Sequence, residues 1–105
     1  MIKKEEKGTG KKREEKRRET GRDVEFTFHA PEAAEVYLTG EFNHWDTRSL
    51  PMKKDKDGVW KTTVRLPLGR HEYRLLADNF GVEIIPDVEM VPNPYGTHNF
   101  VIWVK

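Results

Sequence analysis

The chain predicts an all-β fold, an antiparallel β-sandwich of immunoglobulin-like shape, and three observations carry that reading. Apolar residues alternate at the two-residue strand period in short runs between Val24 and Val104. Gly, Pro, Asn and Asp separate the runs, and no helical period occurs anywhere after Arg22. At 105 residues there is room for one domain with a modest core, and none for a second, catalytic domain.

Residues 1–22 stand apart. Met1 and Ile2 are their only apolar side chains, and ten Lys and Arg face five Glu, a net charge of +5. Such a segment cannot bury enough surface to offset the entropy of ordering it, so it is expected to be a disordered charged tail. A solubilising tail and a basic arm for phosphates are both open readings. Five interleaved glutamates and no aromatic residue argue against specific nucleic-acid binding, because bases would find nothing to stack on. The domain proper is expected over residues 23–105, which carry a net charge of −4.

The strands follow in order. Val24, Phe26 and Phe28 alternate until Pro31 ends the run. Glu35 to Thr39 forms the second strand, broken by Gly40 and Asn43. Leu50 to Lys53 reads as a short edge strand. Asp55-Lys56-Asp57-Gly58 then turns the chain into Trp60, Thr62, Val64 and Leu66 at period two. Pro67-Leu68-Gly69 makes the next turn, after which Tyr73, Leu75 and Ala77 alternate up to Asp78-Asn79. An irregular, proline-rich segment runs to Pro94, and Thr97 to Val104 closes the domain.

The expected core is Phe26, Phe28, Val36, Leu38, Trp60, Val64, Leu66, Tyr73 and Leu75 with part of the last strand. That strand places Phe100, Ile102 and Val104 on one face and Asn99, Val101 and Trp103 on the other. Both faces are apolar toward its end, so the outward one is expected to be covered by a loop, the tail or another protein.

Several classes of chemistry find no support. There is no cysteine, which rules out disulfides and thiolate metal sites and is compatible with a reducing cytoplasm. His29, His44, His71 and His98 stand far apart without metal-ligand spacing. No apolar run approaches the ~18 residues of a spanning helix, so a soluble, cytoplasmic protein with no membrane contact is expected. No nucleophile–base motif or phosphate loop occurs. Asp55 and Asp57 fit a solvated hairpin turn better than a hydrolytic pair, so neither catalysis nor a cofactor is expected.

The loop after the second strand is the main candidate for function. Trp45 sits there beside Asn43, His44 and Asp46, offering a flat apolar face together with hydrogen-bonding groups. A sugar ring needs that combination, the indole for its C–H face and the polar groups for its hydroxyls. A second candidate stretch is Tyr95-Gly96-Thr97-His98-Asn99 at the entry to the last strand.

Four stretches give the chain from about Val24 to Val104 a resemblance to carbohydrate-binding module family 48. They are Val36 to Trp45, Trp60 to Gly69, His71 to Leu75 with Asp78, and Tyr95 to Asn99. Modules of this family form the glycogen-binding domain of the AMP-activated protein kinase beta subunit and N-terminal domains of branching enzymes and isoamylases. The resemblance implies an early-set immunoglobulin-like sandwich that binds α-glucans such as glycogen, starch or maltooligosaccharides without catalysis.

Residue by residue, the resemblance implies that Trp45 stacks on a glucose ring and that Arg74, where the kinase domain has lysine, bonds sugar hydroxyls. Thr97 and Asn99 would add polar contacts, and Tyr95 stands where the kinase domain uses leucine. This chain departs from the pattern after Asp78, where the second stacking tryptophan is missing and Phe80 is the only aromatic candidate. Losing one of two aromatic platforms costs about 1 to 2 kcal/mol, roughly a tenfold loss of affinity or more. An alternative reading therefore accompanies the first: an interaction module of the same fold, with weak or lost glucan binding, docking on a glucan-metabolising enzyme or kinase.

Overall fold

The structure is a computed structural model, and residues 21–105 are described. The tail expected over residues 1–22 thus lies largely outside them. Its last two residues do not belong to a tail: strand β1 runs Gly21–His29, and Gly21 and Arg22 pair with Pro67 and Leu66. The charge run hid this start, because a strand's outward positions tolerate charge and Gly21 contributes no side chain to the pattern.

Seven more strands follow: β2 (Val36–Gly40), β3 (Lys53–Lys54), β4 (Val59–Pro67), β5 (Gly69–Ala77), β6 (Phe80–Gly81), β7 (Glu89–Pro92) and β8 (His98–Val104). They build two antiparallel sheets. One has the order β1-β4-β3; the other has the order β2-β5-β8-β7, with β6 paired to β5. The β4–β5 connection is the tight turn expected at Pro67-Leu68-Gly69, and Gly69 has φ +121, a conformation suited to glycine.

The core between the sheets consists of Phe26, Val36, Leu38, Met52, Trp60, Leu66, Tyr73, Leu75, Phe100 and Val104. Phe28, Val64 and Ile102 pack on it from the rim, only partly buried. Aromatic edges organise the centre, with Phe26 meeting Tyr73 at 4.9 Å and 73°, and Tyr73 lying 5.6 Å from Phe100. Burial raises the Tyr73 phenol above its ordinary value. Trp60 satisfies its indole N–H by donating to the Ala30 carbonyl at 2.8 Å, which lets a polar group enter the core at no net loss of hydrogen bonds.

The expected edge strand at Leu50–Lys53 takes a different form. Leu38 N donates to Leu50 O and Met52 N to Val36 O, so this stretch lies beside β2 and covers an edge of the five-stranded sheet. Only afterwards does Lys53–Lys54 pair with Lys61 and Trp60 of the other sheet. The segment passes from one sheet to the other, and Met52 becomes a core residue that the alternation did not reveal. The proline-rich stretch likewise holds two short strands, β6 and β7, whose brevity left no periodic signal.

Candidate functional site

The outer face of the five-stranded sheet carries the polar side chains. In β5 the core residues Tyr73 and Leu75 point inward, so Arg70, Glu72 and Arg74 face out. In β8, Asn99, Val101 and Trp103 share that outer face. A groove of about 550 Å³ lies over one end of it, lined by Glu41, Trp45, Thr47, Glu72, Arg74, Asn93, Pro94, Tyr95 and Asn99.

One wall is the loop after β2. A 3-10 turn at Glu41–Asn43 leads into His44 and Trp45, both at φ 59, the left-handed region that costs a bulky residue energy. The Asn43 amide holds this conformation: its Oδ1 accepts from Gly40 N, and its Nδ2 donates to Asp46 O and Ser49 Oγ, each at 2.9 Å. Trp45 N donates to Gly40 O at 2.9 Å. Beneath the loop Phe42 packs 5.8 Å from Phe26 and 6.4 Å from His71, tying it to the core. Trp45 is thereby fixed with 39% of its surface exposed.

The opposite wall is the β7–β8 turn, organised by Asn93. Its Oδ1 accepts the backbone N–H groups of Tyr95 and Thr97, and its Nδ2 donates to Thr97 Oγ1 at 2.7 Å and Asn99 Oδ1 at 3.0 Å. Gly96, at φ +85, completes the turn. Tyr95 is thrown outward, 86% exposed.

Between the walls, Asn99 Nδ2 donates to Glu72 Oε1 at 2.9 Å, and Arg70 Nη1 donates to Glu72 Oε2 at 2.7 Å. The Asn99 amide is therefore oriented at both ends. Glu72 N in turn donates to Glu41 Oε1 at 3.2 Å. Arg74 pairs across β2 with Thr39, and both Arg74 Nε and Thr39 Oγ1 are buried without a hydrogen-bond partner among the described residues. The Arg74 guanidinium lies over Gly81, where a Cβ would run into Nη2.

The hydrogen bond from Asn99, and then that from Arg70, hold the Glu72 carboxyl below its ordinary range. A depressed folded-state value means that the carboxylate's contribution to stability is complete above the ordinary glutamate value. That contribution is lost as pH falls through the lowered one. Glu72→Gln is accordingly expected to lower the melting temperature at about pH 7, with the difference from the parent shrinking toward about pH 3. Parallel thermal melts across that range measure it.

Of the residues expected from the sequence, Trp45, Arg74, Tyr95 and Asn99 line this groove. Thr97 does not; its hydroxyl is engaged with Asn93. Phe80 lies in β6, 77% exposed and outside the lining. Glu41, Thr47, Glu72, Asn93 and Pro94 were not foreseen. Of these, Glu72 was legible as an outward position beside Arg74 at the strand period, whereas the role of Asn93 depends on turn geometry. Among the described residues no group of three His, Asp or Glu could hold a metal ion, and no helix is long and apolar enough to cross a membrane.

A two-sheet antiparallel sandwich presenting an aromatic-flanked, hydrogen-bonding groove on a sheet face belongs with the small β-sandwich binding modules. Residues 10–96 match the family model described as Carbohydrate-binding module 48 (Isoamylase N-terminal domain), and the chain belongs to that family. It is similar to a 1,4-alpha-glucan-branching enzyme of Emericella nidulans, 49% identical over 46 residues, which are 44% of this chain and 7% of that protein. A second branching enzyme, from Novosphingobium aromaticivorans, is 38% identical over 68 residues, 61% of this chain and 9% of the relative. The 5'-AMP-activated protein kinase subunit beta-2 of Mus musculus is 35% identical over 71 residues, 68% of this chain and 25% of the subunit. The chain thus spans a quarter or less of the length of these relatives.

Proposed function

We propose that this module binds α-glucan chains of glycogen or starch type without transforming them, with Trp45 as the stacking platform. The observation that carries the reading is the convergence of Trp45 and Tyr95 on one groove floored by Arg74, Glu72 and Asn99. Aromatic faces suit the C–H faces of glucose, and the charged and amide groups between them suit its hydroxyls. Arg74 contributes a planar fork of donors, and its side chain has no ion pair among the described residues to compete with a sugar. Thr97 supports the site through Asn93, while Phe80 stands near Arg74 by way of its neighbour Gly81.

Retention on amylose resin, with elution by free maltoheptaose, tests the proposal; passage through the resin at low salt would contradict it. A second reading, docking on a glucan-metabolising enzyme or kinase, is favoured by relatives that are branching enzymes and a kinase subunit. It predicts capture of such a partner by a Trp45→Ala variant that no longer holds amylose.

Gly81 supplies a more selective check. An alanine there must displace the end of the Arg74 side chain, which is flexible, and touches no core atom. Gly81→Ala is expected to weaken maltoheptaose binding about fivefold, the worth of roughly one hydrogen bond. The melting temperature should move by no more than about 4 °C. Calorimetric titration and a thermal melt read the two effects separately.

A further inference from the structure

The outer face of the five-stranded sheet does not end at the groove. From Asn99 the side chains of β8 continue on the same face through Val101 to Trp103, about 13 Å along the strand. Val101 is 5% exposed, seated between its register partners Glu72 on β5 and Glu89 on β7. Trp103 is 56% exposed, pairs in register with Arg70, and donates its indole N–H to Glu89 Oε1 at 2.9 Å. That bond pins one edge of the ring while more than half of its surface stays open to solvent.

Hydrogen bonds run from the groove as far as Arg70, the register partner of Trp103. Asn99 bonds to Glu72, Glu72 to Arg70, and Arg70 stands opposite Trp103. A polar row therefore runs from the groove to a second exposed indole ringed by a guanidinium and a carboxylate. This is the same pairing of a flat apolar surface with fixed hydrogen-bonding groups that marks the groove itself. A bare protein-docking patch would be apolar around its aromatic anchor, whereas here Arg70 stands opposite the ring and Glu89 accepts its N–H.

We propose that Trp103, with Arg70 and Glu89, forms a second α-glucan subsite, reached only by chains long enough to run from the groove along β8. The proposal rests on the reading of the groove as a glucan site. It gives this module a second indole platform at the far end of the same sheet face, in a place unrelated to the tryptophan missing after Asp78. Stacking on a second indole is expected to make a long oligosaccharide bind roughly five- to tenfold more tightly than a short one.

The test uses the three indole N–H signals of the chain in NMR titrations with maltotriose and with maltoheptaose. Trp60, buried and bonded to Ala30, is the internal reference. Maltotriose is expected to shift Trp45 alone, and maltoheptaose to shift Trp45 and Trp103. Trp103→Ala should bind maltotriose as the parent does, which also shows that it is folded, and lose the gain for maltoheptaose. Trp103→Phe should keep most of that gain. Maltoheptaose shifting Trp45 but not Trp103, or Trp103→Ala binding both sugars as the parent does, would overturn the subsite and leave the groove intact. Neither sugar shifting either indole would overturn the subsite together with the groove reading beneath it.

Discussion

Trp45→Ala is expected to lower the affinity for maltoheptaose by about thirtyfold, corresponding to about 2 kcal/mol for the loss of a central aromatic contact. The effect should be large because the only other aromatic lining the groove is Tyr95, exposed on the opposite wall. Folding should be little affected. Ala at φ 59 carries a backbone cost similar to that of Trp, the indole lies outside the core, and the hydrogen bonds of Asn43 that shape the loop are untouched. Isothermal titration beside a thermal melt separates the two. A loss under about threefold would show that the ring does not carry binding, since a buried stacking contact is worth more than that.

Gly40→Ala is expected to damage stability and binding together. Gly40 has φ −171, an extended conformation open to any residue, so the constraint is space rather than backbone freedom. An added Cβ would lie 2.6 Å from two atoms of the Phe42 ring and 2.9 Å from the Glu72 carbonyl oxygen. The ring is held against Phe26 and His71, and the carbonyl belongs to the β5 strand paired with β2, so neither can yield freely. Overpacking of this kind costs about 1–3 kcal/mol, and at about 2 kcal/mol the melting temperature falls by roughly 8 to 16 °C. Because Trp45 N bonds to Gly40 O, and Gly40 N to Asn43, the shift also loosens the Trp45 loop and weakens sugar binding. A melting temperature within a few degrees of the parent would contradict this account of the β2 end.

The two substitutions separate the parts of the chain that were legible in the sequence from those that were not. Long strands such as β4 and β5 announce themselves by alternation, because one face is buried and the other is not; Trp60, Leu66, Tyr73 and Leu75 are core residues as expected. Met52 escaped because its segment changes sheets within a few residues, so no period could develop. β6 and β7 are too short for a period, and Gly21 and Arg22 were masked by charge.

At the site, Trp45, Arg74, Tyr95 and Asn99 were named from the family's pattern, and the fold brings all four to one groove. The outward position of Glu72 was legible from the strand period, but its hydrogen bonds across strands, like those of Asn93 within a turn, are not encoded by spacing. Asn93 is the clearest case: an ordinary turn residue in sequence, it holds Tyr95, Thr97 and Asn99 at once. The outward face of β8 was recognised as unusually apolar. Val101 is buried between its register partners Glu72 and Glu89 on the neighbouring strands, while Trp103 stays open.

The most direct test of the proposed glucan site is a titration of the labelled protein with β-cyclodextrin, a closed ring of α-linked glucose, followed residue by residue in NMR spectra. The expected result is saturable shifts at the Trp45 indole and at the Arg74 and Asn99 side chains, with the buried Trp60 indole unmoved. Millimolar sugar that leaves Trp45, Arg74 and Asn99 undisturbed would contradict it.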